Sequence, residues 1–141
     1  MPVEIVRVQP ARIADFLGSS QREALRALYG FSVVWHEQRH DFAATENERV
    51  IGAATIRIAA SLAHVETLVV APDRRLAGIG RRLLEQAADV ANYYNCHKMS
   101  VLVPYGSGAQ RFFERCDYRE EAILPQHTFK LDVAVLRKFL L

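Results

Sequence analysis

Apolar residues recur at two different spacings along the chain. They occupy every second position in several predicted strands and every third or fourth position in the predicted helices. In several segments apolar and polar residues alternate, and other segments are rich in β-branched residues; both patterns are typical of strands. Polar turns at residues 46–48 and at Ser61 favour hairpins between neighbouring segments. These strands are expected at residues 3–8, 41–45, 50–60, 64–70, 99–103, 123–124 and 128–131.

Helical spacing appears between the predicted strands. Leu83, Ala87 and Val90 recur three or four residues apart, with charged residues on the other side, which indicates an amphipathic helix. Gly18 and the residue after it are expected to separate the first two helices. Helices are predicted at residues 11–17, 20–29, 81–94 and 109–115, and residues 132–141 form an apolar tail.

Composition limits the chain to one modest folding unit. Its 141 residues, of which 50% are hydrophobic, suit one domain over residues 1–141. A net charge of +2 argues against a nucleic-acid partner. No apolar run approaches the length of a membrane span, and the first residues do not resemble a signal peptide. Cys96 and Cys116 show no paired spacing, so we expect reduced thiols and a cytoplasmic location.

The most informative segment is the glycine-bearing turn at residues 75–80. It follows a β-branched strand that a proline ends, and it opens the helix predicted at 81–94. A turn of this kind presents unpaired backbone N–H groups at the positive end of the helix dipole, which favours a phosphate. Gly78 and Gly80 let the main chain approach the ligand, and three arginines add positive charge nearby.

The spacing of the turn excludes two common phosphate motifs. No Lys-Ser or Lys-Thr pair follows, as a P-loop requires, and no third glycine completes a dinucleotide fingerprint. The turn instead resembles the Arg/Gln-x-x-Gly-x-Gly/Ala signature of the GNAT family of acyl-CoA-dependent N-acetyltransferases. A second segment, residues 109–118, is similar to that family's later Ala-x-x-Phe-Tyr-Glu-Lys-x-Gly-Phe motif.

This resemblance covers about residues 50–118 and implies a fold. The fold is a mixed α/β (α+β) arrangement with a mostly antiparallel sheet of six to seven strands, flanked by helices on both faces. The implied co-substrate is acetyl-CoA, with no metal. Its pantetheine arm would lie beside Leu68, Val69 and Val70, and Arg115 would reach an outer phosphate. The pyrophosphate would be held by Arg75, Leu76, Ala77, Gly78, Ile79, Gly80 and Arg81.

Acyl transfer from a thioester to an amine needs a base, and Glu66 is the best candidate. It is the lone carboxylate of an apolar strand, and period-two alternation places it with His64, Leu68 and Val70. A partly buried glutamate has a raised pKa, which suits proton abstraction near neutral pH, either directly or through a water. The alternatives are a solvated Glu66, or His64 as the base.

The general acid is where the sequence departs from the family pattern. Phe113 stands where the resemblance implies a tyrosine that protonates the leaving thiolate, and Gly106 replaces a frequent asparagine. Tyr105 and Ser107 are the nearest hydroxyl groups in sequence. The acid therefore stays unassigned, and unaided departure of the thiolate is one alternative.

A rival motif lies at residues 36–40, which read His-Glu-x-x-His. On a helix this spacing binds zinc and supplies the base of a metallopeptidase. Arg39 between the two histidines and a strand predicted from residue 41 argue against that interpretation. In an acetyltransferase the same region would border the acceptor pocket, which Tyr29, Trp35 and His36 would line together with Phe31 and His40. The alternative is that these aromatic residues belong to the core.

The sequence therefore predicts an acetyl-CoA-dependent N-acetyltransferase acting on a primary amine of a small metabolite or a peptide. Two alternatives stay open, a non-catalytic acyl-CoA-binding module and a zinc metallopeptidase. The apolar tail would dock on its own domain or on a second subunit, which favours a homodimer.

Overall fold

The structure is a computed structural model that describes residues 2–140. Its helices are α1 (Pro10–Tyr29), α2 (Ile79–Tyr93) and α3 (Gly108–Arg115), with a short 3-10 turn at Pro72–Arg74. Its strands are β1 (Gln38–Glu46), β2 (Arg49–Ala59), β3 (Leu62–Val70), β4 (Lys98–Pro104), β5 (Arg119–Thr128) and β6 (Leu131–Phe139). The chain divides into two compact units, one ending at Trp35 and the other beginning at His36.

The first unit holds one long helix where the sequence predicts a strand and two helices. Residues 3–8 have no regular secondary structure, so that strand prediction is wrong. α1 continues through Gly18, so the predicted break there is wrong, and the hydroxyl of the next residue, Ser19, donates to the carbonyl oxygens of Asp15 and Phe16 within the helix. The helix ends at Gly30, whose φ of 81° allows its N–H to reach a carbonyl of the last turn.

The second unit is a six-stranded sheet with the order β1-β2-β3-β4-β6-β5, which confirms the mixed, mostly antiparallel architecture. Among the strand pairs of residues 2–140, only β3–β4 is parallel. Alternating residues of the central strands meet the apolar sides of α2 and α3 in one core, in which Ile56, Met99 and Leu136 are fully buried.

The C-terminal segment is not the separate tail that the sequence predicts. It is strand β6, inserted between β4 and β5, and Val133 and Leu136 are buried in the core. The sequence of this strand does not alternate, because residues 133–136 are all apolar and the charged pair Arg137 and Lys138 follows them. The Leu140 N–H donates to the carbonyl of His97, while Leu141 lies outside the described residues.

Candidate functional site

The loop between β3 and α2 shapes the backbone at the start of the helix. Gly78 caps α2 with a φ of 78°, and no side chain donates or accepts a capping bond there. Leu76, two residues earlier, also has a left-handed φ of 66°. The first N–H groups of α2 have no partner within the helix, so the loop leaves a positive helix end facing outward.

The start of α2 packs closely against α3. A β-carbon at Gly80 would lie 2.9 Å from Cζ of Phe112, so only glycine allows this approach without displacing the ring. The Arg81 guanidinium donates to the carbonyl oxygen of Arg115 at 2.7 Å, at the C-terminal end of α3. These two contacts fix the width of the space between the helices and the sheet.

That space is a cavity of about 440 Å³. Arginines surround part of it, and apolar side chains from β3, α2 and α3 line the rest, so it suits a ligand with an anionic part and an apolar part. Its lining residues are Leu68, Val70, Arg74, Arg75, Leu76, Gly78, Ile79, Gly80, Arg81, Ala109, Phe112, Phe113 and Arg115.

The cavity brings together the predicted carrier-binding residues, with two exceptions. Val69 is 57% exposed because it lies on the opposite side of β3 from its neighbours, and Ala77 faces solvent. Sequence reasoning overlooked Arg74 and Phe112 as lining residues. The paired arginines and the Phe-Phe step were visible in the sequence, but their positions in space depend on how α3 packs on α2.

Arg74 is already engaged by carboxylates. Its Nε and one terminal nitrogen donate to Glu46 Oε1 at 3.1 Å and 2.6 Å, and Asp73 is 3.3 Å from its other terminal nitrogen. Hydrogen bonding and opposite charge from Arg74 lower the pKa of Glu46, and Glu46 raises the pKa of Arg74. The β1–β2 turn is therefore linked to the edge of the cavity.

Glu66 is the extra residue of a β-bulge in β3. Thr55 of β2 pairs with Thr67, but the next residue, Ile56, pairs with Val65, so Glu66 has no partner in the ladder. Its side chain is exposed. The partly buried environment expected for Glu66 is therefore wrong, because a bulge projects this residue out of the ladder.

The bulge also changes which residues share a face of β3. Partners across an antiparallel ladder lie on the same face, and buried Ala54 pairs with Leu68. Leu68 and Val70 therefore lie on the core face with Val65. His64 pairs with a residue of the opposite face, so the expectation that it shares a face with Leu68 and Val70 is wrong.

His64 marks the point where β3 and β4 separate. The parallel ladder has three pairs and ends at His64 and Ser100, although both strands continue beyond it. The His64 Nδ1 lies 2.9 Å from Oγ of buried Ser100. Burial is the main cause that lowers the pKa of His64, and the positive charge of Arg57 adds to it, while Glu66 acts in the opposite direction.

The predicted acceptor residues lie on either side of the boundary between the two units. Tyr29 is the last residue of α1, and its ring centroid is 6.1 Å from that of Phe31. Trp35 and His36 follow in a segment without regular structure, and all three predicted residues are exposed. Their contact with an acceptor remains a prediction.

The His-Glu-x-x-His segment does not form the helix that a zinc peptidase requires. His36 and Glu37 precede β1, whereas His40 lies within it and bonds through Nε2 to Gln38. Glu37 instead forms an ion pair with Arg57 at 3.2 Å. Among residues 2–140, no group of three or more His, Cys, Asp or Glu side chains is arranged to hold a metal ion.

The two cysteines are buried and form no disulfide. Burial raises the pKa of both thiols, which keeps them protonated and unreactive. Tyr118, also buried, has its hydroxyl 3.6 Å from the sulfur of Met99, and burial raises its pKa far above the ordinary value. In the part of the chain that the structure covers, no helix is long and apolar enough to cross a membrane.

Solved structures of acetyltransferases share this fold. An acetyltransferase from Bacillus cereus superposes with a TM-score of 0.76 at 15% identity, over 97% of this chain and 98% of that one. The ribosomal-protein-S18-alanine N-acetyltransferase of Escherichia coli gives 0.65 at 17% identity, over 95% of this chain and 91% of that one. A protein from Bacillus anthracis, solved in complex with acetyl coenzyme A, gives 0.69 at 17% identity over 72% of this chain and 63% of that one.

Sequence comparison identifies the family. No curated protein matches the chain in sequence. Residues 6–118, however, match the sequence model of the acetyltransferase (GNAT) family. Together with the sheet topology and the cavity at the start of α2, this match shows that the chain belongs to the GNAT acetyltransferase family.

Proposed function

We propose that this chain is an acetyl-CoA-dependent N-acetyltransferase that transfers the acetyl group directly to a primary amine of a small metabolite or a peptide. The observation that carries the proposal is the cavity at the start of α2. Four arginines and an uncapped helix N-terminus form its polar part, and Leu68, Val70 and Phe112 are among its apolar residues. A diphosphate joined to an extended, mostly apolar arm has this distribution of charge.

Specific residues would hold the acyl carrier. The N–H groups of Gly78, Ile79 and Gly80 would bind the diphosphate, with Arg75 and Arg81 neutralising its charge. Residues 68–70 would contact the pantetheine arm through their main chain, and Arg115 would reach an outer phosphate. A main-chain N–H of the same strand facing the thioester oxygen would supply a typical gain of about two to three orders of magnitude in rate.

We propose Glu66 as the final acceptor of the amine proton. Glu66 is the unpaired residue of the bulge, close to the place where β3 and β4 separate, and its side chain is exposed to solvent. The proton would reach Glu66 directly or through a water.

The leaving thiolate would depart without a protein acid. Phe113 lines the cavity, and none of the described residues that line it carries a hydroxyl or a carboxyl group. Thiolates are far more stable than alkoxides near neutral pH, because thiols ionise at a pKa of about 8.5. The transfer is therefore compatible with an apolar residue at this position.

Paired variants of adjacent arginines test the carrier site. Arg81 lines the cavity, whereas its exposed neighbour Arg82 does not. In calorimetric titrations with coenzyme A we expect Arg81→Gln to weaken binding by about tenfold and Arg82→Gln to leave it within about twofold. Equal effects of the two variants, or no binding by the wild-type protein, would contradict the site.

A screen for thiol release from acetyl-CoA tests the reaction itself. The acceptors are spermidine, glucosamine 6-phosphate, free amino acids and an alanyl peptide, because these represent the classes of primary amine in the proposal. Release that depends on an acceptor, with a matching mass gain of one acetyl group, is the expected result. Release of thiol without any acetylated amine would indicate hydrolysis instead.

Phe113 and the cavity without an acid also favour a second candidate, a non-catalytic acyl-CoA-binding module. That protein would bind coenzyme A with the same dependence on Arg81 but would acetylate none of the four acceptor classes. The acceptor screen separates the two, and in an enzyme Glu66→Gln should lower the rate of acetylation while leaving carrier binding unchanged.

The proposal also includes the acceptor site, the cellular location and the oligomeric state of the protein. Tyr29, Trp35 and His36 are proposed to contact the acceptor amine, and the similar protein from Escherichia coli is named for a ribosomal-protein alanine. Two buried thiols without a disulfide support a cytoplasmic protein. A homodimer is also proposed, and sedimentation at micromolar concentration giving one protomer mass would exclude it.

A further inference from the structure

We propose that Leu76 contacts the adenine of the acyl carrier and makes the chain selective for coenzyme A over pantetheine carriers that lack a nucleotide. The inference rests on the proposed binding of acetyl-CoA and assigns a specificity-determining residue to that site. It arises from the backbone conformation of Leu76, from the exposure of its side chain and from its place at the cavity.

The backbone of Leu76 adopts a conformation that does not suit leucine. Its φ is 66°, in the left-handed region, where a bulky side chain is strained and where glycine, asparagine or aspartate is usual. Most of the other described residues with positive φ lie in hairpin turns or, like Asn95 and Asp117, just after an α-helix. Leu76 lies in the loop that leads to Gly78. Because glycine would meet the requirement of that loop without strain, the leucine side chain needs a separate explanation.

The side chain of Leu76 gains nothing from the folded protein that offsets the strain. Leu76 is 105% exposed, so it buries no apolar surface. An exposed leucine is ordinary at a protein surface, but one held in a strained backbone conformation lowers the stability of the free protein. Strain of this kind is typical of ligand-binding segments, where contact with the ligand recovers what the free protein loses.

Strain and exposure alone do not indicate a ligand, because Phe129 combines them too. Its φ is 52° and its side chain is 91% exposed, but it lies in the turn between β5 and β6. Leu76 instead lines the cavity at the start of α2, together with Arg75 and the helix cap Gly78. Its position beside the proposed phosphate site therefore points to a contact with the bound carrier.

The chemistry of the carrier decides which of its parts Leu76 would meet. Leu68, Val70 and Phe112 line the part of the cavity proposed for the pantetheine arm, and the N–H groups of residues 78–80 are proposed for the diphosphate. The other large apolar surface of coenzyme A is the face of adenine, which the diphosphate separates from the arm. Contact with Leu76 would bury this face and leave the hydrogen-bonding edge of the base in water.

Calorimetric titrations with three ligands test the contact. They are coenzyme A, adenosine 3′,5′-bisphosphate, which has the nucleotide without the arm, and 4′-phosphopantetheine, which has the arm without the nucleotide. Leu76→Asn removes the apolar group and keeps the backbone conformation, because asparagine tolerates a positive φ. We expect this variant to bind the first two ligands about fivefold more weakly and the third within about twofold of wild type. Leu76→Met, which keeps an apolar side chain, should bind all three within about twofold of wild type.

Urea unfolding without ligand separates a ligand contact from a structural role. Leu76→Asn should raise the urea midpoint, because it relieves strain and loses no buried surface. Stability and affinity then change in opposite directions, whereas loss of a structural residue lowers both. Phe129→Asn is the matched control. It should also raise the midpoint but leave the affinity for coenzyme A within about twofold of wild type, because Phe129 does not line the cavity.

The results distinguish failure of this inference from failure of the proposed function. If the wild type binds coenzyme A and Leu76→Asn binds both nucleotide ligands equally well, Leu76 makes no contact with adenine and the proposed carrier site stands. An equal loss of affinity for 4′-phosphopantetheine also overturns the inference, because the side chain would then act on the arm or on the loop. If the wild type binds no coenzyme A, the inference and the proposed function are both overturned.

Discussion

The ring of Phe112 lies against Gly80, so that a β-carbon at position 80 would be only 2.9 Å from Cζ. This contact joins the first turn of α2 to α3, and both residues line the cavity. The second glycine of the turn is therefore required by helix packing, in addition to any approach of a ligand to the backbone.

Gly80→Ala should lower both stability and affinity for coenzyme A. The added methyl group forces the Phe112 ring aside, at a cost of about 1–3 kcal/mol, which exceeds the gain of about 1 kcal/mol in helix propensity. Urea unfolding and calorimetry measure the two effects. Gly18→Ala is the control, because nothing lies within 4 Å of its added carbon, and it should stabilise α1. Wild-type affinity in Gly80→Ala would contradict the packing argument.

Glu46→Gln should tighten the binding of coenzyme A. In the free protein Glu46 occupies two donors of Arg74 and places a negative charge at the edge of the cavity. Its removal frees the guanidinium for a phosphate, and we expect an affinity gain of about threefold at low salt that shrinks as salt screens the charges. Glu121→Gln, which breaks the ion pair with Lys98 elsewhere on the sheet, is the control and should leave affinity unchanged.

Stability should fall with decreasing pH because of His64. Its pKa in the folded protein is lower than the value of about 6.5 in the unfolded chain, so below that pH the unfolded state binds more protons. The contribution is fully present above pH 6.5 and is lost as the pH falls through the folded pKa. Urea unfolding at pH 8 and pH 5 should show a larger loss for the wild type than for His64→Gln, and equal losses would exclude His64 as the cause.

Much of the fold could be predicted from the spacing of apolar residues. They recur every two residues in the strands that line the core and every three or four residues in α2. The single N-terminal helix α1 and the C-terminal strand β6 could not be predicted in this way. A glycine inside a helix costs only about 1 kcal/mol, so Gly18 alone does not end α1. Strand β6 is recognisable only once its position between β4 and β5 is known.

One part of the candidate site could likewise be predicted from the sequence, and another part could not. Its backbone part, residues 75–80, is local in sequence, and most of it lines the cavity as expected. The prediction that Glu66 is partly buried was wrong, because Glu66 is the unpaired residue of a bulge. A bulge depends on the register between β3 and β2, which the sequence of β3 alone does not determine. The pair of His64 and Ser100 is separated by 36 residues and appears only when β3 lies beside β4.

The hairpin turns give the last prediction, which concerns stability alone. All three hairpins turn through two residues with positive φ, and the β5–β6 turn uses Phe129 and Lys130 at 52° and 62°. Such turns favour Asn-Gly, whereas bulky side chains are strained in the left-handed region. Because Phe129 is 91% exposed, its loss removes little burial.

The double variant Phe129→Asn, Lys130→Gly should therefore stabilise the protein by about 1 kcal/mol, seen as a higher urea midpoint with an unchanged slope. The β1–β2 turn is the internal control, because Asn47 already occupies its first position at a φ of 50°. Glu48→Gly there should give a smaller gain, since only one of its two residues is poorly suited to the turn. A fall in the midpoint of the double variant would show that Phe129 or Lys130 makes a stabilising contact that outweighs the strain of the turn.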